Sequence, residues 1–167
     1  MTSKRAKRAL PQDVRLTPRW LFDAFDAPLA FTLDAAASPD NALCSRYIDE
    51  QRDALNPHLD WVVEAHDGAI WCNPPFSLLG PFAHRAAEAG TQVPVAFVMP
   101  GNRWEQQWCH DTVLTSSTYI VAPLRRVAYG GSGKSPEWPS VVVVWLPGKL
   151  GVRQLITLAS WNAMWGR

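Results

Sequence analysis

The apolar positions change period several times along the chain. In "LTPRWLFDAFDA" Trp20, Leu21 and Phe25 share one face, Thr17 stands where an N-cap would, and Pro18 occupies the first helical position. This predicts a helix over about 18 to 26. In "AFTLDAAAS" Phe31 and Leu33 alternate as in a strand, Asp34 ends it, and small residues turn the chain. "NALCSRYI" reads as a short helix, and "GAIWC" as a strand that stops at a double proline. "PFAHRAAEAG" is helical with Gly90 as its stop, and "VPVAFVMPG" is a buried strand ended by Pro100 and Gly101. "RWEQQWCHDTVL" reads as a helix, "STYIVAP", "RRVAY" and "SVVVVWLP" as strands, and "GGSGKSPEWPS" as a long loop.

Strands alternating with helices predict an α/β sheet, mostly parallel. The last strands follow one another without a helix, so they are expected to form an antiparallel hairpin at one edge. In open α/β sheets ligands bind at the carboxyl ends of strands. Two such ends carry unusual residues: "LDAAAS" and "WCNPPFS".

The 167 residues suit one domain with a real core, and 47% hydrophobic content excludes a disordered chain. The formal net charge of +1 does not announce a nucleic-acid partner. The charge is uneven, however. Lys4, Arg5, Lys7 and Arg8 form a basic arm, read either as a solvated tail or as phosphate-seeking. We divide the chain into a flexible arm over 1–15 and a single catalytic domain over 16–167. No apolar run spans a membrane and no signal peptide is visible, so the expected location is the cytoplasm. Cys44, Cys72 and Cys109 have neither disulfide nor zinc spacing, so they are expected to be core thiols and no metal site is expected.

"GGSGKS" invites a phosphate-loop reading, but the first glycine of that pattern would fall on Ala128, and "PEWPS" follows in place of a helix. A hairpin loop fits better, with Lys134 placed to cover a substrate. The small residues of "LDAAAS" allow either a tight turn with Asp34 as a cap or close approach to a cofactor.

"NPPF" is sharper. A turn starter does not need Asn, two prolines and an aromatic together at the exit of a buried strand. Asn73 offers a carbonyl acceptor, the Pro74 carbonyl a second, and Phe76 a flat face. Two acceptors beside a stacking ring suit a planar group bearing an amine.

"NPPF" resembles the [DNS]-P-P-[YFW] motif of methyltransferases that act on exocyclic or amide nitrogens. "TPRW", "LDAAAS" and "WCNPPF" in that order, with "VAFVMP" and "PSVVVVW" after them, resemble the phage-type N-6-adenine DNA methyltransferases (Dam family) over residues 16–147. The resemblance implies a Rossmann-like class I methyltransferase sheet, S-adenosylmethionine as cofactor and DNA as partner. Asn73, Pro74, Pro75 and Phe76 then form the catalytic corner. Thr17, Pro18 and Trp20 fall near the methionyl part of the cofactor, and Asp34, Ala35 and Ala36 take the place of the usual Gly-rich loop. Glycines are missing from that loop. Asp53 and Asp67 are both candidates for the adenosyl part. The cofactor motif precedes the catalytic one, as in the γ-like arrangement.

The expected reaction is methyl transfer to N-6 of an adenine flipped out of the duplex. Acceptors at Asn73 and Pro74 would free the amine lone pair, and no strong base is needed. Arg103, Trp104, Arg125, Arg126 and Lys134 are candidates for the nucleic-acid entrance, each of them equally readable as surface or core. Protection of phage DNA is the family expectation, in a host cytoplasm. A monomer is favoured, and there is little room for a separate target-recognition domain. Two other readings stand: the same corner acting on cytosine, an RNA base or a protein glutamine, and a non-catalytic nucleic-acid-binding domain.

Overall fold

The computed structural model describes residues 15–123, 126–130 and 138–166. Its centre is a seven-stranded sheet. The strands are β1 (Phe31–Asp34), β2 (Arg46–Tyr47), β3 (Ala69–Cys72), β4 (Val95–Pro100), β5 (Tyr119–Ala122), β6 (Ser140–Trp145) and β7 (Gln154–Thr157). They lie in the order β2-β1-β3-β4-β6-β5-β7. All pairings are parallel except those of β6, which runs antiparallel to both β4 and β5. This is a Rossmann-like α/β sheet with an antiparallel pair towards one side.

The buried strands read as unbroken apolar runs because both faces of the sheet are covered. Along β3 and β4, Ile70, Cys72, Val95, Phe97 and Met99 face one core, while Trp71, Ala96 and Val98 face the other. The first face is covered by α2 (Trp61–Glu64) and α3 (Leu79–Ala89). The second is covered by α1 (Arg19–Leu29) and α5 (Leu158–Met164). Pro28 lies inside α1 and has no N–H to give, which leaves the Ala24 carbonyl without its helical donor. Trp161 of α5 supplies one, its Nε1 donating to that carbonyl at 3.1 Å. Asp60 caps α2 by accepting from Val62 and Val63.

Several expectations are corrected. "NALCSRYI" is not a helix. Arg46 and Tyr47 form β2 because pairing with Leu33 and Asp34 outweighs local propensity. Residues 126–129 of "RRVAY" form no strand, although Val127 and Tyr129 are buried. β6 pairs instead with β5 on one side and β4 on the other, and it sits two places in from the edge, with β5 and then β7 outside it. The helix expected over "RWEQQWCHDTVL" begins only at Gln107, widens to a π turn at Cys109–Val113 and closes as α4 (Leu114–Ser116). Thr17 is not the cap of α1. Pro18 holds that position, and no side chain bonds there.

Candidate active site

In this strand order β1 is flanked by β2 on one side and β3 on the other, so the chain reverses direction of build at β1 and β3. The carboxyl ends of strands at such a switch point form a crevice. Asp34 leaves β1 there and Asn73 leaves β3 there, tied by a bond from the Ala35 amide to the Trp71 carbonyl at 2.8 Å. The cleft is lined by Arg15, Leu16, Thr17, Asp34, Ala36, Asn41, Leu43 and Asn73.

Pro74 and Pro75 end the strand, and a 3₁₀ turn at Phe76–Leu78 leads into α3. The side chain of Asn73 is held from across the cleft. Its Nδ2 donates to the Arg15 carbonyl at 2.7 Å and to the Thr17 hydroxyl at 2.9 Å. Its Oδ1 is buried and has no partner among the described residues. The reverse assignment would set the amide oxygen against a main-chain carbonyl that has no proton to give, so the orientation is fixed by the network. Tyr129 meets the Phe76 ring edge-on, with centroids 6.1 Å apart at 88°, and donates its hydroxyl proton to Ser140 at 2.9 Å. The Arg15 guanidinium lies over Phe76, 5.8 Å from its centroid.

Asp34 is organised differently. Its two oxygens accept from the Leu43 amide at 3.2 Å and, with longer reach, the Ala36 amide at 3.4 Å. Burial lifts its pKa from 3.8 to about 6, against the pull of those two amides. Burial also drives the thiols up, Cys44 to about 12 and Cys109 to about 11, with Cys72 well above its ordinary value. None is a thiolate near neutral pH, so these cysteines offer no ready nucleophile.

The sequence candidates do not all converge. Asn73, Thr17, Asp34 and Ala36 line the same cleft, and Phe76 stands beside it under Arg15. Ala35 is fully buried behind it, Pro18 is bonded into the first turn of α1, and Trp20 packs against the second core. Asp53 is not among the lining residues, and its carboxylate accepts from the Leu55 amide in its own turn. Asp67 stands before β3, at the opposite end from Pro74 of a strand that itself spans about 13 Å. Trp104 packs against the first core, and the half-buried Arg103 has an unpartnered Nε. Arg126 is exposed, and Arg125 and Lys134 lie outside the described residues, as does the basic arm.

A family model described as DNA N-6-adenine-methyltransferase (Dam) matches residues 4–122. The chain belongs to the Dam family. Membership brings with it the family's activity, methylation of adenine N-6 in DNA, and makes the seven-stranded sheet that of a methyltransferase. No curated protein matches the chain. The stretch matched as Dam family holds α1, the Asp34 exit, the "NPPF" corner and the strands up to β5. Both halves of the cleft therefore lie within it.

Reading the chain alone missed three features in or near this cleft of the Dam-family chain. Arg15, assigned there to the arm, forms part of the cleft, and Tyr129 walls Phe76. Asp49 stands just beyond β2, at a carboxyl strand end next to the switch point, because Ile48 donates its amide to the Asp34 carbonyl at 2.9 Å. Like Asp53 it is not among the lining residues, and its Oδ1 accepts from the Arg52 amide at 2.9 Å, but an acid at that place suits ribose hydroxyls. Its signal was hidden by reading the preceding segment as helix. No described helix is long and apolar enough to cross a membrane.

Proposed function

We propose that this Dam-family chain transfers a methyl group from S-adenosylmethionine to the exocyclic amine of an adenine flipped out of DNA, with Asn73, Pro74 and Phe76 receiving the base. The observation that carries this reading is the buried, unpartnered Oδ1 of Asn73. Buried acceptors are almost always satisfied, so one left open at a strand end is waiting for a donor.

The residues lining the cleft also suit the cofactor chemically. Asp34 gives an anionic wall for an ammonium, while Thr17 and Arg15 give polar rims, and the small Ala36 leaves the main chain accessible. Thr17, Pro18, Trp20, Asp34, Ala35 and Ala36 are the residues we assign to its methionyl side. Asp49 takes precedence over Asp53 and Asp67 on the adenosyl side, because only Asp49 follows a carboxyl strand end at the switch point. When bound, S-adenosylmethionine supplies an electrophilic methyl on a sulfonium.

Oδ1 of Asn73 accepts one proton of the adenine amine, and the Pro74 carbonyl accepts the other. This draws the nitrogen towards a tetrahedral shape and frees its lone pair. Phe76 stacks on the base once the Arg15 guanidinium yields that face. Fixed dipoles of this kind are worth roughly 3 kcal/mol each at the transition state. Orientation of the two reactants supplies much of the rest. No side chain acts as a strong base, because the amine sheds its proton after becoming cationic. Arg103 and Arg126, with Arg125 and Lys134 outside the described residues, would meet the DNA backbone.

The test is to incubate the protein with methyl-labelled S-adenosylmethionine and, separately, DNA, RNA and protein. Label in DNA alone is expected. Label only in RNA or protein, or no transfer at all, contradicts the reading.

A further inference from the structure

Asn differs from Asp in carrying an NH2 where the acid carries an oxygen, and at position 73 it is this NH2 that the rest of the protein holds. Its two protons meet two acceptors, the Arg15 carbonyl at 2.7 Å and the Thr17 hydroxyl at 2.9 Å. Both acceptors belong to one short strap, residues 15–17, that crosses the cleft ahead of α1. The strap is clasped from the other side. Leu16 donates its amide to the Gly130 carbonyl at 3.2 Å and accepts from the Gly130 amide at 3.1 Å. A side chain at Gly130 would set its Cβ 3.2 Å from the Leu16 Cβ, so the absence of one allows the two chains to approach this closely.

We propose that this strap is the positioning element of the transfer: the Thr17 hydroxyl and the Arg15 main-chain carbonyl lock the Asn73 amide with its oxygen towards the substrate amine, and they are why this chain carries Asn and not Asp there. The inference rests on the methyl-transfer reading above. The [DNS]-P-P-[YFW] motif tolerates Asp in general. Here an Asp oxygen would face the Arg15 carbonyl at the distance now spanned by a hydrogen bond. A hydroxyl can turn its proton round to serve a carboxylate, but a main-chain carbonyl cannot. The carboxylate would swing away and take the reacting acceptor with it. Thr17 acts through Asn73 and is therefore a positioning residue. Its own proton is still available for a cofactor.

The paired variants Thr17→Val and Thr17→Ser separate hydroxyl from shape, since Val keeps the outline and Ser keeps the oxygen. With both folded to the same thermal midpoint within a few degrees, Thr17→Val is expected to lower kcat about tenfold. Because Thr17 also borders the cofactor, kcat is read at saturating S-adenosylmethionine, and Thr17→Ser keeps the wild-type kcat within about threefold. Asn73→Asp is expected to lose about a hundredfold. In the protein without cofactor, both Asn73 side-chain amide protons exchange slowly by NMR in wild type and in Thr17→Ser, and faster in Thr17→Val. Wild-type kcat in Thr17→Val with loss in Thr17→Ser would overturn the proposal. So would full activity of Asn73→Asp, or a Thr17→Val rate loss that saturating S-adenosylmethionine abolishes. If the wild type transfers no methyl at all, the function reading fails, and the amide-exchange result alone decides the positioning role.

Discussion

The carboxyl ends of β1 and β3 lie side by side at the same crevice, yet their polar side chains are in opposite states. Asp34, leaving β1, is buried with its oxygens bonded to the amides of its own loop. Asn73, leaving β3, is tied among the described residues only through its nitrogen, and its oxygen is buried and open to them. The first shapes a loop, and the second is prepared for something that is not part of the chain. A buried polar group that is satisfied internally contributes to structure, whereas one that is not costs stability until a ligand arrives. On the proposed reading, this difference puts the chemistry at β3 and the cofactor's support at β1.

Removing each group should therefore have opposite consequences. The largest effect is expected at the open one. Asn73→Ala should lower kcat by about 10² to 10³, comparable to loss of one donor from an oxyanion hole. Its thermal midpoint should stay near wild type and its cofactor affinity within a few-fold. Steady-state kinetics and calorimetry on one preparation check all three.

Asp34 should instead report on folding. Its pKa is raised, so the folded state holds a proton that the unfolded state has already released between pH 4 and 6. Its contribution is therefore most favourable at low pH and declines as pH rises through that window. The displacement from 3.8 to about 6 corresponds to roughly 3 kcal/mol. Urea unfolding of wild type and Asp34→Asn at several pH values should show that decline in the wild type relative to the variant. Parallel curves would mean that Asp34 is solvated.

A third polar group sharpens the contrast. The Ala24 carbonyl, freed by Pro28, is satisfied by Trp161 from the far end of the chain. Trp161→Phe should cost about 2 kcal/mol in stability, through the orphaned carbonyl and lost packing, with transfer kinetics unchanged in the surviving folded protein. The smallest effect concerns the two sites together. A cofactor ammonium beside Asp34 favours the ionised carboxylate, so S-adenosylmethionine affinity should fall as pH drops below about 6, by up to tenfold per pH unit. Calorimetry at pH 5 and 7 measures it, and Asp34→Asn should flatten the trend.

The sequence carried the β3 side of this contrast far better than the β1 side. Asn73, Pro74, Pro75 and Phe76 are neighbours in the chain, and proline's lack of an N–H makes their corner visible without any fold. The partners that orient Asn73 are 58 and 56 residues away. Nothing local to Arg15 or Thr17 announces that contact, and Thr17 looked like a helix cap because its neighbours favour one. The two-residue β2 exists through pairing with β1, against a local pattern that reads as helix, and Asp49 was lost with it. Tyr129 fits the alternation of a strand, but its segment is drawn to the catalytic corner, where its ring meets Phe76 and its hydroxyl meets Ser140. The central strands β4 and β6 were plain from their unbroken apolar runs, since burial on both faces leaves no room for a polar residue.

The most direct measurement of the central claim uses S-adenosylmethionine with a deuterated methyl group and unmethylated duplex DNA, digested to nucleosides after reaction and analysed by mass spectrometry. The account predicts deuteromethyl-2'-deoxyadenosine, labelled at N-6, with wild type and an initial rate lower by about 10² to 10³ with Asn73→Ala. Deuterated methyl on cytosine, or undiminished methyladenine from the Asn73→Ala protein, would contradict it.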